Sequence, residues 1–171
     1  TKDLALGEKT LLLVLHERVA TIPSHRIFTW VNVRGKEIQS LTYEQLWNRS
    51  GQIASMLIHQ EAIQKGDRVM ISYPFGLDFL AGLIGCMRAG VIPCSVHPPN
   101  PSNLATDQDI FLRKAEDAGA KIALTTAKLR RAISAKLLFQ RKKSSSPLMT
   151  KIKWVATDNL KAKFTDHNIL L

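Results

Sequence analysis

The sequence predicts an α/β fold: a parallel sheet built from βαβ layers, with helices on both faces and a β-hairpin ahead of it. Three observations carry this expectation. Strand-like and helix-like segments alternate from residue 69 to residue 156, the signature of parallel strands joined by crossover helices. Residues 69–73 and 91–96 are apolar on both alternating faces, as strands covered by helices on both sides are. Gly90 and Gly119 each stand between a helical pattern and the strand that follows. A residue without Cβ takes up the left-handed turn that ends a helix there.

The elements follow in order. Leu12, Leu15 and Val19 recur at helical spacing ahead of Pro23 and predict a helix over 9–20. Phe28, Trp30 and Asn32 then alternate with Ile27, Thr29, Val31 and Val33, Arg34-Gly35-Lys36 turns the chain, and 38–41 runs back. That pattern is a hairpin. Thr42 is placed to cap the next helix, and Gln45 three residues later completes a capping box. Leu46, Trp47, Ile53, Leu57 and Ile58 supply that helix's buried stripe. Gly66 and Asp67 lead into the strand 69–73, and a helix runs from there to Gly90. A right-handed crossover to the strand 91–96 is expected.

Pro98, Pro99 and Pro101 should hold the chain extended through Asn103, since proline restricts itself and its predecessor. Thr106 opens the next helix, with Ile110, Phe111, Leu112 and Ala115 turned inward and Gly119 closing it. Residues 121–125 form a third parallel strand and 127–140 a basic amphipathic helix. The charged, serine-rich stretch 141–147 reads as a disordered loop. Residues 152–156 make a fourth short strand.

An apolar content of 45% suits a chain with a real core and argues against disorder. No apolar run approaches the roughly 20 residues that span a bilayer. The apolar stretch 11–15 continues into His16, Glu17 and Arg18, which is not the pattern of a signal peptide. The first residue is Thr rather than Met, so the true N-terminus is expected elsewhere. Cys86 and Cys94 match no metal-ligand spacing. They read as small buried hydrophobes of a reducing, cytoplasmic compartment.

The formal charge of +10 is unevenly placed. Residues 1–119 carry equal numbers of basic and acidic side chains, whereas 120–171 hold twelve basic residues against Asp158 and Asp166. The densest part contains Lys128, Arg130, Arg131, Lys136, Arg141, Lys142 and Lys143. Such a patch attracts phosphates, anionic membranes or an acidic partner, and otherwise serves as a solvated face. Phe139 is its sole aromatic residue, so stacking on single-stranded bases is not supported and nucleic acid is not the expected partner.

No catalytic constellation emerges from the residues themselves. The five histidines are scattered, and only His97 lies just beyond a parallel strand's carboxyl end, where open α/β sheets bind ligands. It is the candidate ligand-edge residue. Gly76, Gly82, Gly85 and Gly90 lack the dinucleotide-binding spacing, and no Walker-type Gly-Lys-Ser or Gly-Lys-Thr occurs. Gly82 and Gly85 inside a helix read instead as sites of tight packing against the sheet. These residues nominate no catalytic, cofactor-binding or metal-ligating side chain.

Three ordered blocks carry a resemblance: Leu41-Thr42-Tyr43-Glu44-Gln45-Leu46, Lys65-Gly66-Asp67-Arg68-Val69 and Arg88-Ala89-Gly90-Val91-Ile92-Pro93. They resemble the first blocks of the adenylate-forming ligases, which include acyl-CoA synthetases and peptide-synthetase adenylation domains. Tyr73-Pro74-Phe75-Gly76-Leu77-Asp78-Phe79 and His97-Pro98-Pro99-Asn100-Pro101 look closest to the fatty-acyl-AMP ligase branch. That branch includes the adenylation-like domains of the disco-interacting protein 2 family.

The resemblance implies activation of a fatty acid by ATP and magnesium to acyl-AMP, then transfer to CoA or an acyl carrier protein. It also implies that residues 1–171 are the N-terminal subdomain of a larger AMP-binding domain, whose remaining part is the chain's first partner. The family's phosphate loop, ribose-binding aspartate and terminal lysine come later than these blocks. Here the last glycine is Gly119, so the glycine-rich cradle that lets backbone amides approach phosphate has no place in the remainder. The fragment alone is therefore expected to bind ATP weakly or not at all and to be inactive, with His97 as a candidate wall of the acyl pocket. The alternative is a non-catalytic adenylation-like module that docks a partner through its basic C-terminal third.

Overall fold

Helix α1 (Leu11–Thr21) starts where the Thr10 hydroxyl accepts the Leu13 amide at 3.2 Å. Strands β1 (Arg26–Val31) and β2 (Glu37–Thr42) form the antiparallel hairpin. In its turn the Asn32 side-chain oxygen accepts the amides of Arg34 and Lys36, and Gly35 takes φ +74°. Helix α2 (Tyr43–His59) begins with the expected capping box: Thr42 accepts the Gln45 amide and Gln45 accepts the Thr42 amide. This computed structural model describes residues 9–140 and 151–160; the predicted loop 141–147 lies outside them.

The parallel part comprises β3 (Arg68–Ile71), α3 (Asp78–Arg88), β4 (Ile92–Ser95), α4 (Leu104–Ala118), β5 (Ile122–Thr125), α5 (Ala127–Gln140) and β6 (Lys153–Ala156). Its strands lie in the order β4-β3-β5-β6, all parallel. Gly90 at φ +69° ends the turn after α3, with the Val91 amide on the Cys86 carbonyl at 3.1 Å. Gly119 does the same for α4 at φ +63°. Both are the glycine terminations read from the sequence.

Side chains of period two divide the sheet's contacts between two cores. Val69, Ile71, Tyr73, Ile122 and Leu124 join residues of α1, α2 and α3. Met70, Ala123 and Trp154 join Leu104, Phe111, Leu112, Leu129, Ile133 and Leu137 from α4 and α5. Helices therefore cover both faces, as predicted.

Four local expectations are corrected. The strand after Gly90 is an edge strand, not one covered on both faces: Ile92 is 48% exposed and Cys94 only half-buried, while Cys86 is buried. Ile110 points outward at 52% exposure, because Leu104, Phe111, Leu112 and Ala115 already fill the inward stripe of α4. The proline exit folds into a 3-10 turn over Pro101–Asn103 instead of staying extended, and α4 starts at Leu104 rather than Thr106. Asp107 holds that turn by accepting the Asn100 amide at 2.9 Å and the Asn103 side-chain amide at 3.3 Å. Finally, Gly85 packs on α2 rather than on the sheet. A Cβ there would lie 2.7 Å from Ile53 Cβ, whereas one at Gly82 would meet the Tyr73 ring at 2.6 Å.

Candidate functional site

The loops leaving the carboxyl ends of β3 and β4 build the site. After β3 the chain runs through Ser72, Tyr73, Pro74, Phe75, Gly76 and Leu77 into α3. Gly76 sits at φ +151°, backbone that L side chains rarely adopt. The loop is pinned at both ends. The buried Tyr73 hydroxyl lies 2.7 Å from that of Thr157, beyond β6. The Asp78 carboxylate, in the first turn of α3, pairs with Arg49 of α2. Burial pushes the Tyr73 phenol well above its ordinary pKa, and the Thr157 hydrogen bond only partly opposes this, so the ring stays neutral.

Between this loop, the loop after β4 and the strand β1 opens a groove of about 550 Å³. Phe28, Trp30, Tyr73, Phe75, Phe79 and Leu80 give it apolar walls. A smaller hollow of about 260 Å³ shares Tyr73, Phe75 and His97 with it and reaches Leu129 on α5. His97 is exposed between the two hollows, its ring centroid 6.1 Å from that of Phe75. The arrangement can hold an aliphatic or aromatic chain, with the His97 imidazole at its rim.

Nucleotide phosphates do not fit these residues. Each helix that starts at the carboxyl edge carries an aspartate at its amino end. Asp78 and Asp107 lie in the first turns of α3 and α4, and Asp158 accepts the Ala127 amide of α5 at 2.8 Å. The Thr126 hydroxyl takes the Leu129 amide as well. Negative charge near these helix starts opposes a phosphate there: Asp158 accepts a helix amide directly, while Asp78 pairs with Arg49 and Asp107 holds the turn before α4. Gly82 and Gly85 are taken up by packing. Among the described residues no group of three His, Cys, Asp or Glu side chains could hold a metal.

His97 thus lies at the carboxyl edge, where the sequence places it. Lys128, Arg130, Arg131 and Lys136 are all exposed on α5, and Arg141, Lys142 and Lys143 lie outside the described residues. Helix α5 reaches the smaller hollow beside His97 through Leu129, and none of these four cations lines either hollow, so His97 and the cations do not form one site. Sequence reasoning missed Phe28, Trp30, Phe79, Leu80 and Thr157. One signal was available: Phe75 is an aromatic residue between Pro74 and Gly76 immediately after a strand.

The chain thus forms an open α/β layer whose ligand edge offers an apolar groove and, among the described residues, no phosphate cradle. AMP-binding enzymes match it over residues 15–168, and the chain belongs to that family. It is 41% identical over 93 residues to Disco-interacting protein 2 of Drosophila melanogaster, a match covering 54% of this chain and 5% of that protein. It is 29% identical over 154 residues to the medium-chain-fatty-acid–acyl-carrier-protein ligase JamA of Moorena producens, covering 88% of this chain and 24% of the ligase. Among solved structures, the fatty acid AMP ligase from Legionella pneumophila superposes with a TM-score of 0.66 at 26% identity, over 86% of this chain and 23% of that one. The chain therefore spans a quarter or less of the length of these relatives. The resemblance to adenylate-forming ligases and their fatty-acyl-AMP branch agrees with all three matches. Among the described residues no helix is long and apolar enough to cross a membrane.

Proposed function

We propose that residues 1–171 are the front subdomain of an adenylation domain that activates a fatty acid. In that reaction a carboxylate oxygen attacks the α-phosphorus of ATP, pyrophosphate leaves, and the acyl group passes from acyl-AMP to CoA or a carrier protein. The observation that carries this reading is the apolar groove at the carboxyl edge, whose 550 Å³ falls within the ~300–1,000 Å³ of small-molecule pockets. It forms part of the acyl site's wall, with His97 at the rim. The names of two relatives, a medium-chain fatty acid ligase and a fatty acid AMP ligase, support the substrate class.

ATP and magnesium belong to the parent domain. The aspartates at the helix starts and the absence of glycine after Gly119 support an isolated chain that holds neither tightly and turns nothing over. The rest of the domain is its first partner, packing on exposed apolar side chains such as Val31, Val33, Ile38 and Phe75. The two free thiols support a cytoplasmic location.

The test uses Trp30, which lines the groove while Trp47 and Trp154 are buried elsewhere. A doxyl-labelled fatty acid should quench the fluorescence saturably, and Trp30→Phe should remove that quenching. Calorimetric titration with magnesium and ATP should give no saturable heat. Quenching that is absent, or unchanged in Trp30→Phe, overturns the acyl assignment; tight ATP binding overturns the inactive fragment.

A second reading is a docking module that works through the basic C-terminal third. The four exposed cations of α5 favour it.

A further inference from the structure

Helix α5 presents two chemically different halves. Leu129, Ile133 and Leu137 are buried in the core beneath it. At 100° per residue the outward half carries Lys128, Arg131, Ala132, Ala135 and Leu138, with Arg130 and Lys136 on its flanks. All seven are exposed, Leu138 at 64%. The helix contains no acidic residue.

Several cations elsewhere on this surface are paired. Lys9 pairs with Glu17, Arg26 with Glu37, Lys151 with Glu116 and Lys153 with Glu61. Among the described residues, Lys128, Arg130, Arg131 and Lys136 form no salt bridge; Arg131 Nε only donates back to the Ala127 carbonyl at 3.2 Å. No acidic residue of their own helix offsets their charge.

Resting on the second reading above, we infer that this face of α5 docks on an anionic lipid surface. A site for one phosphate needs donors that converge on a point. Here four cations diverge around the helix and spread over about 12 Å of its axis. Such a layout matches a plane of negative headgroups, each cation finding its own. Ala132 and Ala135 allow close approach between the charges, and Leu138 places an aliphatic side chain at the boundary of headgroup and acyl chain. The apolar groove at the carboxyl edge is lined by no residue of α5, so docking through the outward half of that helix leaves it open.

The test is cosedimentation of the full 171-residue chain with phosphatidylcholine vesicles, with and without about 30% phosphatidylserine, near 0.1 M salt. Binding is expected only with phosphatidylserine and is lost near 0.5 M salt. Lys128→Gln with Arg131→Gln should weaken partitioning about 25-fold, at about fivefold per cation. Leu138→Ser should weaken it further, at unchanged thermal unfolding. Arg34→Gln with Lys36→Gln, the same charge loss at the hairpin turn, should leave it unchanged. Failure to bind the anionic vesicles, or an equal loss in the hairpin variant, overturns the assignment. Polyglutamate bound where vesicles are not would overturn the lipid partner and keep the docking reading; binding to neither overturns both. The fatty-acid quenching of Trp30 is a separate measurement, so failure of the acyl reading is distinguishable.

Discussion

A single methyl group at Gly85 measures how firmly α2 and α3 are held together. A Cβ built there lies 2.7 Å from both Ile53 Cβ and Ile53 Cγ2, and 3.0 Å from the Ser50 carbonyl oxygen. Carbon atoms rest at about 3.5 Å or more, so the helices must part by about 0.8 Å or tilt. None of the three atoms is the free end of a flexible side chain, so local adjustment brings little relief. Overpacking of this kind costs about 1–3 kcal/mol, and a contact about 0.8 Å too short against stiffly held atoms falls in the upper half of that range, about 2–3 kcal/mol. Against it stands the helix preference of alanine over glycine, worth about 1 kcal/mol. Packing outweighs propensity, and Gly85→Ala should lose about 1–2 kcal/mol. The melting temperature should fall by roughly 2–8 °C for a chain of this size. Urea unfolding followed by far-UV circular dichroism gives the free energy, with the slope expected to match the parent's. A Gly85→Ala protein as stable as the parent, or more so, would refute the close contact.

Two other outcomes follow from buried groups at the sheet. Tyr73→Phe should cost about 1 kcal/mol by deleting the bond to Thr157, and more because Thr157 is left unpaired at 5% exposure. Adding Thr157→Val should recover part of that loss; a double variant worse than the sum of the singles refutes this account. Burial pushes the Cys86 thiol up to about 12 from 9.0, so a thiol reagent should modify Cys94 first in the native protein, and equal rates would refute it. The unfolded chain loses the Cys86 proton at lower pH than the folded one, so this group's contribution to stability drains away as pH rises from about 9 to about 12. Unfolding midpoints should therefore fall less steeply across that range in Cys86→Ala than in the parent.

Much of the fold was legible because the relevant interactions are local. Thr42 and Gln45 lie three residues apart and cap each other wherever the helix goes. Gly90 and Gly119 end their helices through their own backbone freedom. The errors arose where packing decides. Residues 91–96 are apolar enough for an interior strand, yet β4 takes the edge because β5 pairs with the other side of β3. An apolar run does not encode its neighbours. Ile110 was assigned inward on spacing alone, but the surface beneath α4 was already filled. The groove was only half readable. Tyr73, Phe75 and His97 are marked by their strand ends, whereas Phe28 and Trp30 come from a hairpin more than forty residues earlier.

By itself the sequence determined the kinds and order of elements, the membership in the AMP-binding family carried by its ordered blocks, and the concentration of positive charge after residue 119. Each depends on residues close together in the chain or on their simple count. Tertiary structure alone decided the order β4-β3-β5-β6, the exposure of β4, the closure of an apolar groove by the hairpin, and the need for glycine at position 85. Those outcomes depend on which distant surfaces bury one another. Shape complementarity across the assembled layers selects among arrangements that the local pattern permits equally.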